Sequence, residues 1–145
     1  MWETGLEKVS ERIYYIGETE KTIMPASNMP PIPEKKKRFK MLDRVKDFLR
    51  EQPGDVKKEL NGIIWMLERD GYLAYPYGEK IEGDDELFAI RVMQSGNIRV
   101  FYVYGLNDFV FGLHAYVKKT ERIPAKELKE ARRALLELIS GGCIK

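Results

Sequence analysis

The sequence predicts an α+β domain whose elements follow the order strand, helix, helix, strands, helix. In residues 87–120, aromatic and β-branched residues alternate with polar ones, which is typical of β-strands. Residues 43–71 and 124–142 instead place apolar residues at the spacing of amphipathic helices. These patterns favour an antiparallel sheet packed against a helical hairpin on its N-terminal side, with a C-terminal helix after the strands.

Two helices precede the strand-rich stretch, after a first strand at 37–42. Asp43 and Asp55 are in position to cap them, and the Pro53-Gly54 pair separates them. The second helix has one apolar face, made by Val56, Leu60, Ile63, Ile64 and Leu67. Gly71 is suited to end it in a left-handed conformation, and Pro124 fits the first position of the last helix.

Two turns divide residues 87–120 into three antiparallel strands. The first turn is at 95–97 and the second at 105–108. If the second turn contains those four residues, the register places Arg99 opposite His114. For Arg91 to share the face of Arg99, the connection between the first two of these strands must contain an odd number of residues.

Alternation along the strands separates two faces of the predicted sheet. One face is apolar and must be covered; it comprises Ile98, Val100, Tyr102, Tyr104, Phe109, Phe111, Leu113, Ala115 and Val117. The other face carries Arg99, His114, Tyr116 and Lys118. This second face is the candidate functional site.

Residues 1–37 are predicted to form an N-terminal arm, separate from a domain of residues 38–145. Short strands are expected at 11–17 and 21–24. Prolines then recur between residues 25 and 33, where they oppose regular structure and indicate a semi-rigid linker. At the other end of the helical hairpin, residues 71–86 are predicted to form a loop with three tyrosines and an acidic run.

The formal net charge of +2 conceals segregated blocks of charge. Residues 35–50 contain eight basic and two acidic side chains, whereas residues 51–86 contain four basic and ten acidic ones. Such a chain can present a basic surface to a polyanion, although solvated helix faces also explain any single block. The sequence has no apolar run of membrane-spanning length and no pattern of a secretory signal, so a cytoplasmic location is expected.

The sequence offers no signature of a cofactor or metal site. Cys143 is the single cysteine, so it cannot form an internal disulfide, and it has no metal-ligating neighbours at useful spacing. No phosphate-binding glycine loop, zinc-ligand set or serine triad is present in the sequence. We therefore predict no metal and no cofactor.

Four segments carry a resemblance to a known family: LERDG at 67–71, LFAIR at 87–91, IRVFY at 98–102 and LHAYVKKTERIP at 113–124. Together with the order of elements, they resemble the RelE/HigB superfamily of toxins from type II toxin–antitoxin systems, and most of all its phage-derived HigB-like branch. The resemblance covers about residues 38–139. It implies a small RelE-like fold, with a sheet that is antiparallel except at its mixed edge.

The activity that the resemblance implies is that of a small, metal-free endoribonuclease, or mRNA interferase. Such a toxin cleaves mRNA in the ribosomal A site and thereby inhibits translation. The resemblance also implies a partner, a cognate antitoxin of the helix-turn-helix, HigA-like kind, which holds the toxin inactive. Two alternatives stay open: a ParE-like toxin that inhibits DNA gyrase, and an inactive relative that binds only antitoxin or nucleic acid.

Residue by residue, the resemblance matches Arg99 to the family's arginine after the strand turn. Arg91 matches a basic position on the preceding strand, and Lys119, next to Lys118, matches the basic residue after the last strand. Ala89 departs from the pattern, because the branch usually has a glutamate two residues before the arginine of that strand. The departure leaves the acid or base at this site unassigned.

The residue chemistry agrees with this assignment. Guanidinium and ammonium groups stabilise the negative charge that develops on a phosphorane, and His114, the only histidine, suits general acid–base work. Ion pairing and core packing are the structural alternatives for these residue types. The catalytic candidates are Arg91, Arg99, His114, Lys118 and Lys119, and the RNA-binding candidates are Tyr116, Arg122 and Lys80. The loop tyrosines Tyr72, Tyr75 and Tyr77 either stack on bases or cover the sheet edge.

Overall fold

A five-stranded mixed sheet forms the centre of the larger of two compact units, Glu34–Lys145. The computed structural model describes residues 11–16, 20–25, 35–83 and 86–144. Over these residues the elements are β1 (Glu11–Ile16), β2 (Glu20–Pro25), β3 (Arg38–Met41), α1 (Asp43–Arg50), α2 (Gly54–Asp70), β4 (Gly78–Lys80), β5 (Phe88–Val92), β6 (Ile98–Tyr104), β7 (Phe109–Val117) and α3 (Ala125–Ser140). The predicted α+β class is confirmed, and the architecture is consistent with a small RelE-like fold.

The smaller unit, Met1–Pro33, contains the antiparallel pair of β1 and β2. Glu11 is opposite Pro25, and Ile16 is opposite Glu20, so both strands lie where the sequence predicts them. The expected proline-rich linker lies mostly outside the described residues. The division into an arm of residues 1–37 and a domain of residues 38–145 stays a prediction.

The larger sheet has the strand order β3-β7-β6-β5-β4. β3 pairs with β7 in parallel, and the other neighbours pair antiparallel, so the sheet is mixed at one edge as expected. The edge strand β4 lies inside residues 71–86, where the sequence predicts a loop. That prediction is wrong at these three residues, because so short a strand shows no alternation of its own.

The register of β6 and β7 differs from the prediction. Arg99 is opposite Tyr116 and not opposite His114, which instead faces Phe101. One reason is a longer connection: Tyr104 pairs with Val110, so five residues and not four lie between the paired positions. The second reason is a β-bulge between Phe101 and Tyr102, which adds one unpaired residue to β7.

The longer connection depends on two residues with positive φ angles. Asn107 and Asp108 have φ angles of 57° and 65°, in the left-handed region that asparagine and aspartate tolerate better than most residues. Gly105 N donates to Phe109 O at 2.7 Å, and Phe109 N donates to Leu106 O at 3.1 Å, which closes the turn. Local backbone chemistry therefore sets the register here.

Helices contact the sheet on both faces. α1 contacts β7 and β3, and α2 contacts β5, through the predicted apolar stripes. On the other face, Phe101 and Val103 are buried in a cluster with Ala131, Ala134 and Leu135 of α3. The sequence predicts a polar face around Arg99. The structure differs, because α3 covers the apolar central part of that face.

The longer connection moves residues of β7 between the predicted faces, and the bulge limits this change to the residues before His114. Phe111 and Leu113, expected on the face covered by the hairpin, belong to the cluster under α3. A bulge inverts the alternation on one side of it, so a two-residue period counted along the sequence fails at this point.

The helix termini follow the sequence signals with small shifts. The N-cap residues of α1 and α2 are Leu42 and Pro53, and neither makes a side-chain capping bond. Asp43 and Asp55 lie one position or two further on, in the first turns, where a negative charge interacts favourably with the helix dipole. Gly71 ends α2 in the left-handed conformation that the sequence predicts, with a φ of 87°.

Candidate functional site

A row of four polar side chains crosses the sheet on the face that α3 partly covers. Arg91 on β5 is directly opposite Arg99 on β6, and Arg99 is directly opposite Tyr116 on β7. Directly opposed residues on neighbouring strands share a face, so these three side chains lie side by side. Glu79 on β4 joins them: its Oε2 is 3.8 Å from Arg91 Nε and 3.7 Å from Arg99 Nε. We call Glu79, Arg91, Arg99 and Tyr116 the polar row.

The pairing of the two arginines requires the connection between β5 and β6 to be odd in length. It contains the five residues 93–97, which confirms that condition. Glu59 of α2 holds this connection, because its carboxylate accepts bonds from Met93 N at 3.0 Å, Gln94 N at 3.2 Å and Ser95 N at 2.8 Å. The Ser95 hydroxyl donates a fourth bond at 2.6 Å.

Burial acts to raise the pKa of Glu59, but the hydrogen bonds from Ser95, Gln94 and Met93 outweigh it, so the pKa lies below the ordinary carboxylate value. Glu59 is therefore ionised at neutral pH and anchors the connection as a charged acceptor. This contact between α2 and the sheet fixes the connection that joins the strands of Arg91 and Arg99.

Arg99 is a buried cation, with 2% of its surface exposed. Its Nη1 donates to Asn97 Oδ1 at 2.9 Å and to Ile98 O at 3.3 Å. Burial, followed by repulsion from Arg91, lowers the pKa of Arg99, and the charge of Glu79 opposes that shift. Arg99 stays charged, since an arginine begins from so high a pKa, but its charge is poorly compensated.

Three polar atoms of the row lack hydrogen bonds. Within the part of the chain that the structure describes, Arg91 Nε, Arg99 Nε and Tyr116 Oη are buried and have no hydrogen-bond partner. The separations of 3.7 and 3.8 Å from Glu79 are too long for hydrogen bonds. Burial raises the pKa of Tyr116 to about 12, so its hydroxyl is protonated at neutral pH and can donate.

Unsatisfied donors of this kind cost free energy unless a ligand or water accepts from them. In the described residues, Glu79 is the one carboxylate that forms an ion pair with either arginine of the row. The row therefore carries an excess of positive charge and three unused donors. It is chemically suited to bind an anion with several acceptor oxygens.

Arg91 also connects the row to the loop before β4. Its Nη1 donates to Pro76 O at 3.1 Å, and its guanidinium lies over the Tyr75 ring, 4.7 Å from the centroid. Tyr75 itself is 73% exposed. An exposed aromatic ring thus stands at the edge of the polar row.

His114 lies beside the row and not in it. Its ring centroid is 6.4 Å from that of Tyr116 and 6.4 Å from that of Phe101. His114 Nε2 is 2.7 Å from Glu127 Oε1 of α3, and both side chains are mostly buried. The carboxylate fixes the orientation of the imidazole, as in other sites where a carboxylate orients a histidine.

Residues 47–136 match the family described as Phage derived protein Gp49-like (DUF891). The chain belongs to this family. The Gp49-like family is associated with RelE-like toxins of toxin–antitoxin modules. The match covers more than half of the chain and includes the whole polar row together with His114 and Glu127. No curated protein matches the chain.

Two global findings concern the described residues of this Gp49-like chain. None of its described helices is both long and apolar enough to span a membrane. Histidine, cysteine, aspartate and glutamate side chains do not gather in threes around a common point that would hold a metal ion, within the described ranges.

The predicted basic residues divide between the site and other surfaces. Lys118 follows β7 next to the row: its N donates to Asn97 O at 2.7 Å, and Asn97 Nδ2 donates back to Lys118 O at 3.0 Å. Lys119 and Arg122 are exposed further along the same connection to α3. These three residues extend the positive charge beyond the end of β7.

Lys80 lies on the other face of the sheet. Lys80 is opposite Phe88, and Phe88 is opposite Tyr102, so these three side chains share a face. Tyr102 is three residues from Arg99 on β6, and alternation therefore places the two on opposite faces. The Lys80 Nζ lies 5.6 Å from the Phe88 ring centroid. The structure therefore does not bring this predicted RNA-binding residue to the polar row.

Sequence reasoning missed two carboxylates of the site. Glu79 belongs to β4, which the sequence does not distinguish from the surrounding loop. It pairs with Ala89, so it stands on the strand next to the position where the resemblance leads us to expect a glutamate. Glu127 was missed because only the packing of α3 on β7 brings it to His114; no spacing in the sequence indicates that contact.

Proposed function

We propose that this chain is the toxin of a toxin–antitoxin module and acts as a metal-independent endoribonuclease of the HigB-like branch. The observation that carries the proposal is the pair of directly opposed arginines, Arg91 and Arg99, with their unused Nε donors beside the Tyr116 hydroxyl. Family membership supports the toxin–antitoxin context.

A phosphodiester fits the chemistry of the polar row. It supplies one negative charge, which offsets the excess positive charge, and non-bridging oxygens that accept from several donors at once. Arginine is the side chain best suited to contact two phosphate oxygens together. Because the row is largely buried, each such contact is stronger than it would be in water.

The proposed reaction is attack of a ribose 2′-hydroxyl on its own 3′-phosphate. Glu79 accepts the proton from the 2′-oxygen, because it is the carboxylate beside both guanidinium groups. The 2′-oxygen forms a bond to phosphorus, and the bond from phosphorus to the leaving 5′-oxygen breaks. His114, oriented by Glu127, protonates that 5′-oxygen, which gives a 2′,3′-cyclic phosphate and a 5′-hydroxyl.

The positive groups act on the intermediate. Arg91 and Arg99 stabilise the additional negative charge of the phosphorane, and the Tyr116 hydroxyl donates to one of its oxygens. Lys118, Lys119 and Arg122 attract the neighbouring phosphates of a single strand along the end of β7. A cognate antitoxin, of the helix-turn-helix, HigA-like kind, and mRNA in the ribosomal A site are the partners in this proposal, within the cytoplasm.

Induced expression followed by primer extension on cellular mRNA tests the proposal. We expect growth arrest and breaks within codons for the natural chain, and neither for Arg99→Lys. Lys80→Ala is the matched control, because Lys80 lies on the other face of the sheet and its loss should leave cleavage intact. Induction of the DNA-damage response without mRNA breaks would support a ParE-like gyrase inhibitor, and no effect on growth would support an inactive relative.

A further inference from the structure

Tyr75 is one of several exposed tyrosines near β4, but its surroundings are distinctive. Its ring is 73% exposed although the Arg91 guanidinium lies over it, 4.7 Å from the centroid. The bond from Arg91 Nη1 to Pro76 O, at 3.1 Å, holds the guanidinium next to the residue that follows Tyr75. The ring is therefore positioned by a cation from one side and accessible from solvent elsewhere.

Tyr72 provides a comparison within the same loop. It is 61% exposed, and no arginine or lysine of residues 35–83 and 86–144 forms a cation–π contact with its ring. Exposure alone therefore does not distinguish Tyr75. The feature specific to Tyr75 is that the cation over its ring, Arg91, is also a member of the polar row.

This double role of Arg91 links two kinds of contact in one place. Its Nε is an unused donor in the row, and its guanidinium carbon lies over the Tyr75 ring, 4.7 Å from the centroid. A phosphate bound at the row would consequently place its own nucleoside close to Tyr75. Aromatic rings supported by arginine are surfaces on which unpaired nucleobases stack, with little regard to the base.

We infer that Tyr75 and Arg91 form a stacking site for the nucleobase next to the phosphate bound in the polar row. The inference rests on the proposed function and specifies its substrate class as single-stranded RNA. A base in a duplex is stacked between its neighbours and paired, so it does not reach the ring without being unstacked first. Tyr75 is in this account a binding residue, and it takes no part in proton transfer.

Binding of short oligonucleotides to the purified chain tests this inference. The probes are a fluorescent single-stranded RNA with 2′-O-methyl groups, which cannot be cleaved by its own 2′-oxygens, and an abasic strand of the same length. For Tyr75→Ala we expect the dissociation constant for the base-bearing strand to rise about 10-fold. The dissociation constant for the abasic strand should stay within about 2-fold, since it has no base to stack.

Two further variants control for indirect effects. Tyr75→Phe keeps the aromatic ring and should bind both strands as the natural chain does. Tyr72→Ala removes a tyrosine of comparable exposure that lacks the arginine, and it should also leave both constants unchanged. If Tyr75→Ala weakens the two strands equally, or neither of them, the stacking site is wrong even though RNA binding persists.

Failure of the proposed function gives a different result. In that case the natural chain binds neither the base-bearing nor the abasic strand, and the stacking site falls with the phosphate site. A duplex RNA that binds as tightly as the single strand, and equally well to Tyr75→Ala, would overturn the assignment of substrate class while leaving the phosphate site in place.

Discussion

Arg91 and Arg99 lie directly opposite each other on β5 and β6, and both approach the carboxylate of Glu79. Like charges in directly opposed positions destabilise a sheet. A single carboxylate offsets this repulsion in part, and it leaves both Nε atoms without hydrogen bonds. The pair therefore reduces the stability of the unliganded fold, and a bound phosphodiester would reverse that effect.

Replacing Arg99 with lysine tests whether the guanidinium itself is needed. Lysine keeps the charge, but it cannot donate to Asn97 and offer a second, fixed donor to a phosphate at the same time. We expect cleavage of a model RNA to fall about 100-fold, the size of effect seen when one preorganised donor is removed from a catalytic site. Far-ultraviolet circular dichroism should show an unchanged fold. Full cleavage by a folded Arg99→Lys protein would remove Arg99 from the site.

Replacing Glu79 with glutamine should separate binding from cleavage. The variant loses the charge that competes with a phosphate for both arginines, so the affinity for a non-cleavable single strand should rise several-fold. It also loses the proposed base, so the cleavage rate should fall by about 10²-fold or more. Fluorescence anisotropy and a gel-based cleavage assay measure the two quantities. Weaker binding together with unchanged cleavage would contradict both roles.

A structural element can be predicted from this sequence when its pattern of apolar residues repeats over enough positions. The helices and the three long strands are predicted because their apolar residues repeat over many positions. The register of β7 is not, because it depends on the backbone conformations of Asn107 and Asp108 and on one bulged residue. Neither feature can be located from the two-residue alternation of apolar and polar residues.

The same limit applies to the site. Arg99 and Tyr116 are on one face as the sequence predicts, but only because the longer turn and the bulge each shift the register of β7 by one residue, and the two shifts restore the predicted alternation. Arg91 joins them because the connection between β5 and β6 has an odd number of residues, which is the condition that the sequence analysis sets. Glu79 is not predicted as a site residue, because its strand β4 has only three residues and shows no alternation. Glu127 is not predicted either, because its contact with His114 joins a helix and a strand through tertiary packing. Local periodicity in the sequence does not indicate such a contact.

Replacing Glu59 with glutamine should loosen the connection between the two arginine strands. Glu59 accepts four hydrogen bonds as a charged group, and a neutral amide accepts them less strongly. We expect a loss of about 1–2 kcal/mol in the free energy of unfolding at pH 7, measured by urea denaturation. The control is Glu51→Gln, because the Glu51 side chain at the end of α1 is exposed. This substitution should change the free energy of unfolding little.

The pH dependence of this difference has a defined sign. The pKa of Glu59 is lower in the folded chain than in the unfolded chain, so the unfolded state takes up the proton first as the pH falls. The stabilisation is complete above the unfolded pKa and is lost as the pH falls through the folded pKa. The natural chain and Glu59→Gln should therefore converge in stability in that acidic range. A difference that persists unchanged below it would show that charge is not the source of the stabilisation.

Replacing Glu127 with glutamine tests whether the carboxylate positions His114 for proton transfer. Glutamine has nearly the same shape, so α3 should stay packed, but it no longer offers a charged acceptor to the imidazole at 2.7 Å. We expect the cleavage rate to fall at least about 10-fold and binding of the non-cleavable strand to stay within about 2-fold. The pH–rate profile of the variant should also differ from that of the natural chain. The control is Glu130→Gln, which alters an ion pair between Glu130 of α3 and Arg44 of α1. It should leave the pH–rate profile unchanged. Equal profiles for all three proteins would mean that His114 packs the sheet against α3 and transfers no proton.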